Sequence, residues 1–81
     1  MTNSLLNRIE IDPQVMLGKP VIKGTRITVE MILKKLSQNI STDEILSDYP
    51  RLTPEDIQAA IAYAATALST DEVLPLEAVA A

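Results

Sequence analysis

No cysteine and no histidine occur among the 81 residues of this chain. Without cysteine there is no disulfide framework, no thiol nucleophile and no thiolate ligand. Without histidine the commonest general base and the commonest metal ligand are both missing, and a Ser–His pair cannot be built. Tryptophan and phenylalanine are absent too, so Tyr49 and Tyr63 supply the aromatic content and the core must come from Ile, Leu, Val and Ala. A domain this small, with no disulfide to staple it, has little stability in reserve, and a homodimer is the expected state. Glycine is limited to Gly18 and Gly24, too far apart for a phosphate-cradling loop. The longest unbroken apolar run, residues 59–65, is too short to cross a bilayer. Residues 1–7 have no basic segment and only Leu5–Leu6 as an apolar pair, so no secretion signal is read there and the cytoplasm is the expected location.

What is present is divided by charge. The net charge is −4. Residues 1–42 hold Arg8, Lys19, Lys23, Arg26, Lys34 and Lys35 against Glu10, Asp12 and Glu30, a balance of +3. Residues 43–81 hold Arg51 alone against Asp43, Glu44, Asp48, Glu55, Asp56, Asp71, Glu72 and Glu77, a balance of −7. Any contact with nucleic acid is therefore expected from the N-terminal half.

The pattern of residues gives short β pieces and then helices. Arg8-Ile9-Glu10-Ile11 alternates, with Ile9 and Ile11 on one face, and Asp12-Pro13 ends it. Two β-branched pieces flank Lys23-Gly24, where glycine supplies the positive φ of a tight turn. Strands are expected near 8–11, 20–22 and 25–27. From Thr28, a plausible N-cap, the period changes: Val29, Ile32, Leu33 and Leu36 form one helical stripe that fades at Gln38-Asn39. Glu30 and Lys34 stand in the favourable i,i+4 order on the outer face. Ser41 and Glu44 are spaced as a capping box for a second helix, with Ile45, Leu46 and Tyr49 inward and Pro50 as its stop. Thr53, Pro54, Glu55 and Asp56 open a third helix, whose expected buried stripe is Ile57, Ala60, Ile61, Ala64 and Leu68. The fold class is thus mainly helical, small α+β: short N-terminal strands followed by a three-helix, helix-turn-helix type core over residues 1–68. Residues 69–81 differ in composition, with apolar residues set among carboxylates around Pro75, and are read as a flexible tail.

Catalysis finds little support in these residues. The paired carboxylates Asp43/Glu44 and Glu55/Asp56 both fall in the first turn of a helix, where the dipole accounts for them. Neither a metal site nor a cofactor site is read, and an enzyme is not expected. Binding is the alternative. A helix-turn-helix reads bases with the start of its second helix, where Gln58 could bond adenine but Glu55 and Asp56 carry the wrong sign for phosphate. Lys19, Lys23 and Arg26 near the hairpin, with Lys34 and Lys35 on the first helix, are the better nucleic-acid candidates; a solvated helix face also explains the last two. In the tail, Asp71, Glu72, Val73, Leu74, Leu76 and Glu77 have the composition of a segment that orders on a partner, or of a frayed end.

More specific than any of these patterns is the run Ile11-Asp12-Pro13 followed by Gly18-Lys19-Pro20-Val21-Ile22-Lys23-Gly24-Thr25-Arg26-Ile27. With Asp48-Tyr49-Pro50, Leu52-Thr53-Pro54-Glu55-Asp56-Ile57, Ala59-Ala60 and Ala62-Tyr63-Ala64, it resembles the domain of unknown function 433 family over roughly residues 8 to 68. That resemblance implies a winged or homeodomain-like helix-turn-helix. It also implies an antitoxin that holds a toxin resembling a PIN-type ribonuclease and, in many systems, binds its own operator DNA. Gly18, Pro20, Gly24, Thr25 and Arg26 match the family pattern, and turn geometry explains all but Arg26. The leading expectation is an antitoxin-like module. A dimeric DNA-binding regulator is the second, and a structural or assembly role the third.

Overall fold

The computed structural model describes residues 5–69. Two short strands come first, β1 (Ile9–Glu10) and β2 (Val21–Ile22), with a 3-10 turn at Met16–Gly18 between them. Three helices follow: α1 (Val29–Ser37), α2 (Thr42–Asp48) and α3 (Pro54–Ser69). The strands are antiparallel, Ile9 opposite Ile22 and Glu10 opposite Val21. This is a small α+β domain in which a two-stranded ribbon precedes a three-helix core.

Local chemistry sets each boundary. The chain reverses after β2 through Ile22-Lys23-Gly24-Thr25, closed by the Thr25 N–H to the Ile22 carbonyl at 2.9 Å, with Gly24 at φ 80°. The Thr25 hydroxyl also donates to the Ile22 carbonyl, and it accepts from the Ile27 N–H. The expected third strand at 25–27 does not form. Its backbone returns only one ladder bond, Ile22 N–H to Ile27 C=O, and an isolated bridge of Val21 with Thr28, before helix α1 begins. Thr28 caps that helix, its hydroxyl accepting from the Met31 N–H at 3.0 Å. Beyond Ser37 the chain turns at Asn39, whose φ of 67° is the left-handed conformation common after a helix end. Ser41 caps α2 by accepting from the Glu44 N–H at 3.1 Å. At α3 the Thr53 hydroxyl accepts from the Asp56 N–H, while Asp56 Oδ2 accepts from the Thr53 N–H at 2.9 Å. The reciprocal capping box therefore forms at Thr53/Asp56.

The core is aliphatic. Ile22, Val29, Ile32, Ile45, Leu52, Ile57 and Ala60 are buried together, with Ile9, Leu33, Leu36, Leu46, Tyr49 and Tyr63 packed around them. Ala59 and Ala60 are fully buried where α3 packs in, and their small side chains let α1 and α3 approach closely. Two expectations fail here. Ile11 lies outside the two-residue strand β1 and is exposed, so the 8–11 alternation buries only Ile9. Ile61 and Leu68, expected in the buried stripe of α3, are 47% and 73% exposed. Ile61 points off the buried face, next to buried Ala60, whereas Leu68 lies beyond the core: residues 62–64 are half-buried and residues 65–69 exposed.

Two stability measurements check this packing. Ile45→Ala, at a fully buried position, is expected to cost about 3 kcal/mol in chemical denaturation, from lost transfer energy and the cavity left behind. Gly24→Ala is expected to cost about 1 kcal/mol although nothing lies within 4 Å of the added methyl, because the penalty is the backbone's left-handed φ. Gly24→Asn should cost less, since Asn tolerates that conformation.

Candidate functional site

Three features of the surface stand out, and the first is an anchor that organises the others. Asp56, 6% exposed, sits at the start of α3 with both carboxylate oxygens engaged. Oδ1 accepts from Arg8 Nη1 at 3.0 Å, an ion pair joining the residue before β1 to the first turn of α3. Oδ2 serves the capping box. Sequence reading placed Asp56 on an exposed helix face with the wrong sign for phosphate. Instead its charge is buried and paired, leaving Glu55 as the exposed acid of that turn. Arg8, which no pattern in the sequence singled out, is its partner across 48 residues.

The second feature is a cleft of about 480 Å³ between the Gly24 turn and the segment linking α2 to α3. Glu10, Val15, Gly24, Thr25, Arg26, Ile27 and Arg51 line it. Arg51 reaches across from the turn after α2, its Nη2 donating to the Gly24 carbonyl at 3.0 Å. Arg26 is exposed and, among the described residues, has neither a hydrogen-bond nor an ion-pair partner for its guanidinium. Neither arginine is within ion-pairing distance of Glu10. Arg51 was missed by sequence reasoning because it is isolated within the acidic half. Only the turn's return on the hairpin brings it to Arg26.

The remaining cations predicted as nucleic-acid contacts do not gather into one patch. Lys19 pairs with Glu30 at 3.0 Å, so the expected Glu30–Lys34 pair does not form. Glu30 prefers the lysine delivered by the loop before β2 to the one a helical turn away. Lys35 stands over the Tyr49 ring, 5.7 Å from its centroid. Lys34 and Gln58 are exposed on α1 and α3, and Lys23 is exposed on the hairpin turn beside Arg26.

The third feature is apolar. Where α1 and the C-terminal half of α3 diverge, a groove of about 630 Å³ opens between Pro20, Val29 and Leu33 on one side and Tyr63, Ala64, Ala67 and Leu68 on the other. Glu30, Lys34 and Ser37 form its rim. A smaller apolar hollow of about 390 Å³, lined by Leu6, Ile9, Ile11, Tyr63, Thr66 and Ala67, opens on the other side of Tyr63. Both hollows are lined mainly by apolar side chains and open to solvent. The loop before β2 adds an apolar tip: Met16 and Leu17 hold left-handed φ of 50° and 59°, and Leu17 is 93% exposed. The partner residues expected in the tail, Asp71, Glu72, Val73, Leu74, Leu76 and Glu77, lie outside the described residues. Among the described residues, no helix is long and apolar enough to cross a membrane.

Comparison with known proteins gives a family and no activity. The sequence pattern of the family described as a protein of unknown function (DUF433) matches residues 9–64. A DUF433 member protein from Anabaena variabilis ATCC 29413, solved by crystallography, is similar to this chain with a TM-score of 0.69 and 39% identity. The similarity covers 75% of this chain and 60% of that one, so this chain spans well under two thirds of its relative's length. No curated protein matches. The matched stretch runs from β1 into α3, taking in the Gly24 turn, Arg51 and the Asp56 anchor, and on that match this chain belongs to the DUF433 family.

Proposed function

We propose that this chain is a non-catalytic binding module of antitoxin type, which holds a protein partner on the apolar groove between α1 and α3. The partner in this reading is a toxin resembling a PIN-type ribonuclease. The observation that carries it is the exposure at the C-terminal end of α3, where Leu68 faces solvent and lines a groove walled by Leu33 and Tyr63. An amphipathic helix or loop of a partner can lay apolar side chains into such a groove, with Glu30 and Lys34 at the rim available to fix its register. The same helix leads in sequence to the acidic and apolar residues 71–77, whose chemistry suits a basic ribonuclease cleft. The absence of histidine and cysteine removes the usual nucleophile-and-base sets, which supports a role in binding over a role in catalysis.

Co-expression of the tagged chain with the product of its adjacent reading frame tests the proposal. A stoichiometric complex is expected, weakened at least about tenfold by Leu68→Glu, since a charge forced into an apolar interface forfeits more than 1.4 kcal/mol. Leu68 is largely exposed, so the variant should retain the wild-type circular dichroism spectrum and melting behaviour. Elution of the chain alone, or a complex indifferent to Leu68→Glu, contradicts the groove as the partner site. Self-association through the groove would appear instead as a dimer of the isolated chain that Leu68→Glu dissociates.

A further inference from the structure

We infer that the apolar groove between α1 and α3 is the docking site of this chain's own residues 73–76, reversed at the end of α3 and laid across it. The inference shares the groove with the proposed partner but does not rest on that reading, because it concerns the isolated chain.

Helix α3 delivers the chain to the groove. Ala64, Ala67 and Leu68 on its last turns line the groove, and the helix is described to Ser69. Thr70-Asp71-Glu72-Val73-Leu74-Pro75-Leu76-Glu77 follow in sequence, outside the described residues: four apolar residues between an acidic pair and a further acid. Along α3 the groove wall from Tyr63 to Leu68 is about 7.5 Å long, at a rise of about 1.5 Å per residue. Four extended residues span about 13 Å, so Val73 to Leu76 cover that wall, and Thr70 to Glu72 supply about 10 Å of chain for the reversal.

Charge selects this groove over the other apolar hollow. Glu30 and Lys34 stand on its rim; Glu30 is paired with Lys19 at 3.0 Å, and among the described residues the Lys34 ammonium has no carboxylate partner. The rim therefore offers one uncompensated cation to a segment whose apolar stretch is flanked by Asp71, Glu72 and Glu77. The hollow lined by Leu6, Ile9, Ile11, Tyr63, Thr66 and Ala67 has no charged side chain to meet those acids. Backbone chemistry agrees. Pro75 has no N–H to leave unpaired against an apolar wall, and it biases Leu74 before it towards the extended conformation. The tether then matters more than the intrinsic strength of the contact, since a short linker holds the segment at an effective concentration on the order of millimolar. A protein entering the groove displaces these residues and frees the acids beside them in the same step.

The absence of native cysteine allows a single nitroxide label on Ala78→Cys of the full chain, read by the paramagnetic loss of amide signals in solution NMR. Leu33 on α1 and Ala64 on α3, which both line the groove, are expected to lose signal several-fold relative to the same sample with the label reduced. Leu74→Glu together with Leu76→Glu should restore both signals, and Lys34→Glu should restore them in part. The amide shifts of Ile45 and Ile57, in the core, report that each variant remains folded. The inference is overturned if Leu33 and Ala64 keep full intensity in the labelled chain, or if the double glutamate variant loses signal as its parent does. A loss that appears when a labelled, isotope-free copy is mixed with an unlabelled, isotope-enriched one assigns the contact to a second copy and overturns it too. None of these outcomes bears on the complex tested through Leu68, which needs the partner, so the two proposals fail separately.

Discussion

One buried carboxylate holds the two halves of this small fold in register. Asp56 accepts from the Thr53 N–H with one oxygen and from Arg8 with the other, so the start of α3 and the approach to β1 share a single charged group. Burying a carboxylate is costly unless it is paired and hydrogen-bonded, and here it is both. From this point the remaining geometry follows in sequence. Arg8 delivers β1, β1 sets the register of β2, and β2 leads into the Gly24 turn. The turn's carbonyl is then met by Arg51, just ahead of the helix that Asp56 caps. A loop of contacts runs from α3 through the ribbon and back to α3, in a chain that has no disulfide to do that work.

The consequence for function is a separation along α3. Its first half supplies Ile57, Ala59 and Ala60 to the core, and after half-buried residues 62–64 its last turns run into solvent with Leu68. The groove lined by Leu33, Tyr63 and Leu68 lies along the second half. The hairpin turn and the segment before α3 meet where Arg51 donates to the Gly24 carbonyl. Glu55 and Gln58 are exposed near the start of α3, and a base-reading role for this helix gains nothing from an acidic first turn.

Local signals made the helices legible. Thr28, Ser41 and Thr53 each announce a cap that the structure contains, and the stripe Val29, Ile32, Leu33, Leu36 is the face of α1 that packs inward. The Lys23-Gly24 turn was legible for the same reason, since positive φ selects glycine. Several misreadings concern partners distant in sequence. Glu30 chose Lys19 over the helical neighbour Lys34, Asp56 was claimed by Arg8, and Arg51 was carried to the hairpin by the turn after α2. Leu68 was misjudged because periodicity cannot show how far along a helix a neighbour extends, and Ile61 because the face that packs inward runs through Ile57, Ala59, Ala60 and Tyr63. Arg51, isolated in the acidic half of the sequence, carried no local signal of its place beside the Gly24 turn.

The central claim is that the Arg8–Asp56 pair fastens the ribbon to the helical core. A double-mutant cycle with Arg8→Ala, Asp56→Ala and both together, followed by chemical denaturation, measures that coupling directly. The account predicts a coupling energy of at least about 1 kcal/mol, with the double variant scarcely less stable than Asp56→Ala alone. Losses that add to within about 0.3 kcal/mol would contradict it, and would reduce the pair to an ordinary surface contact.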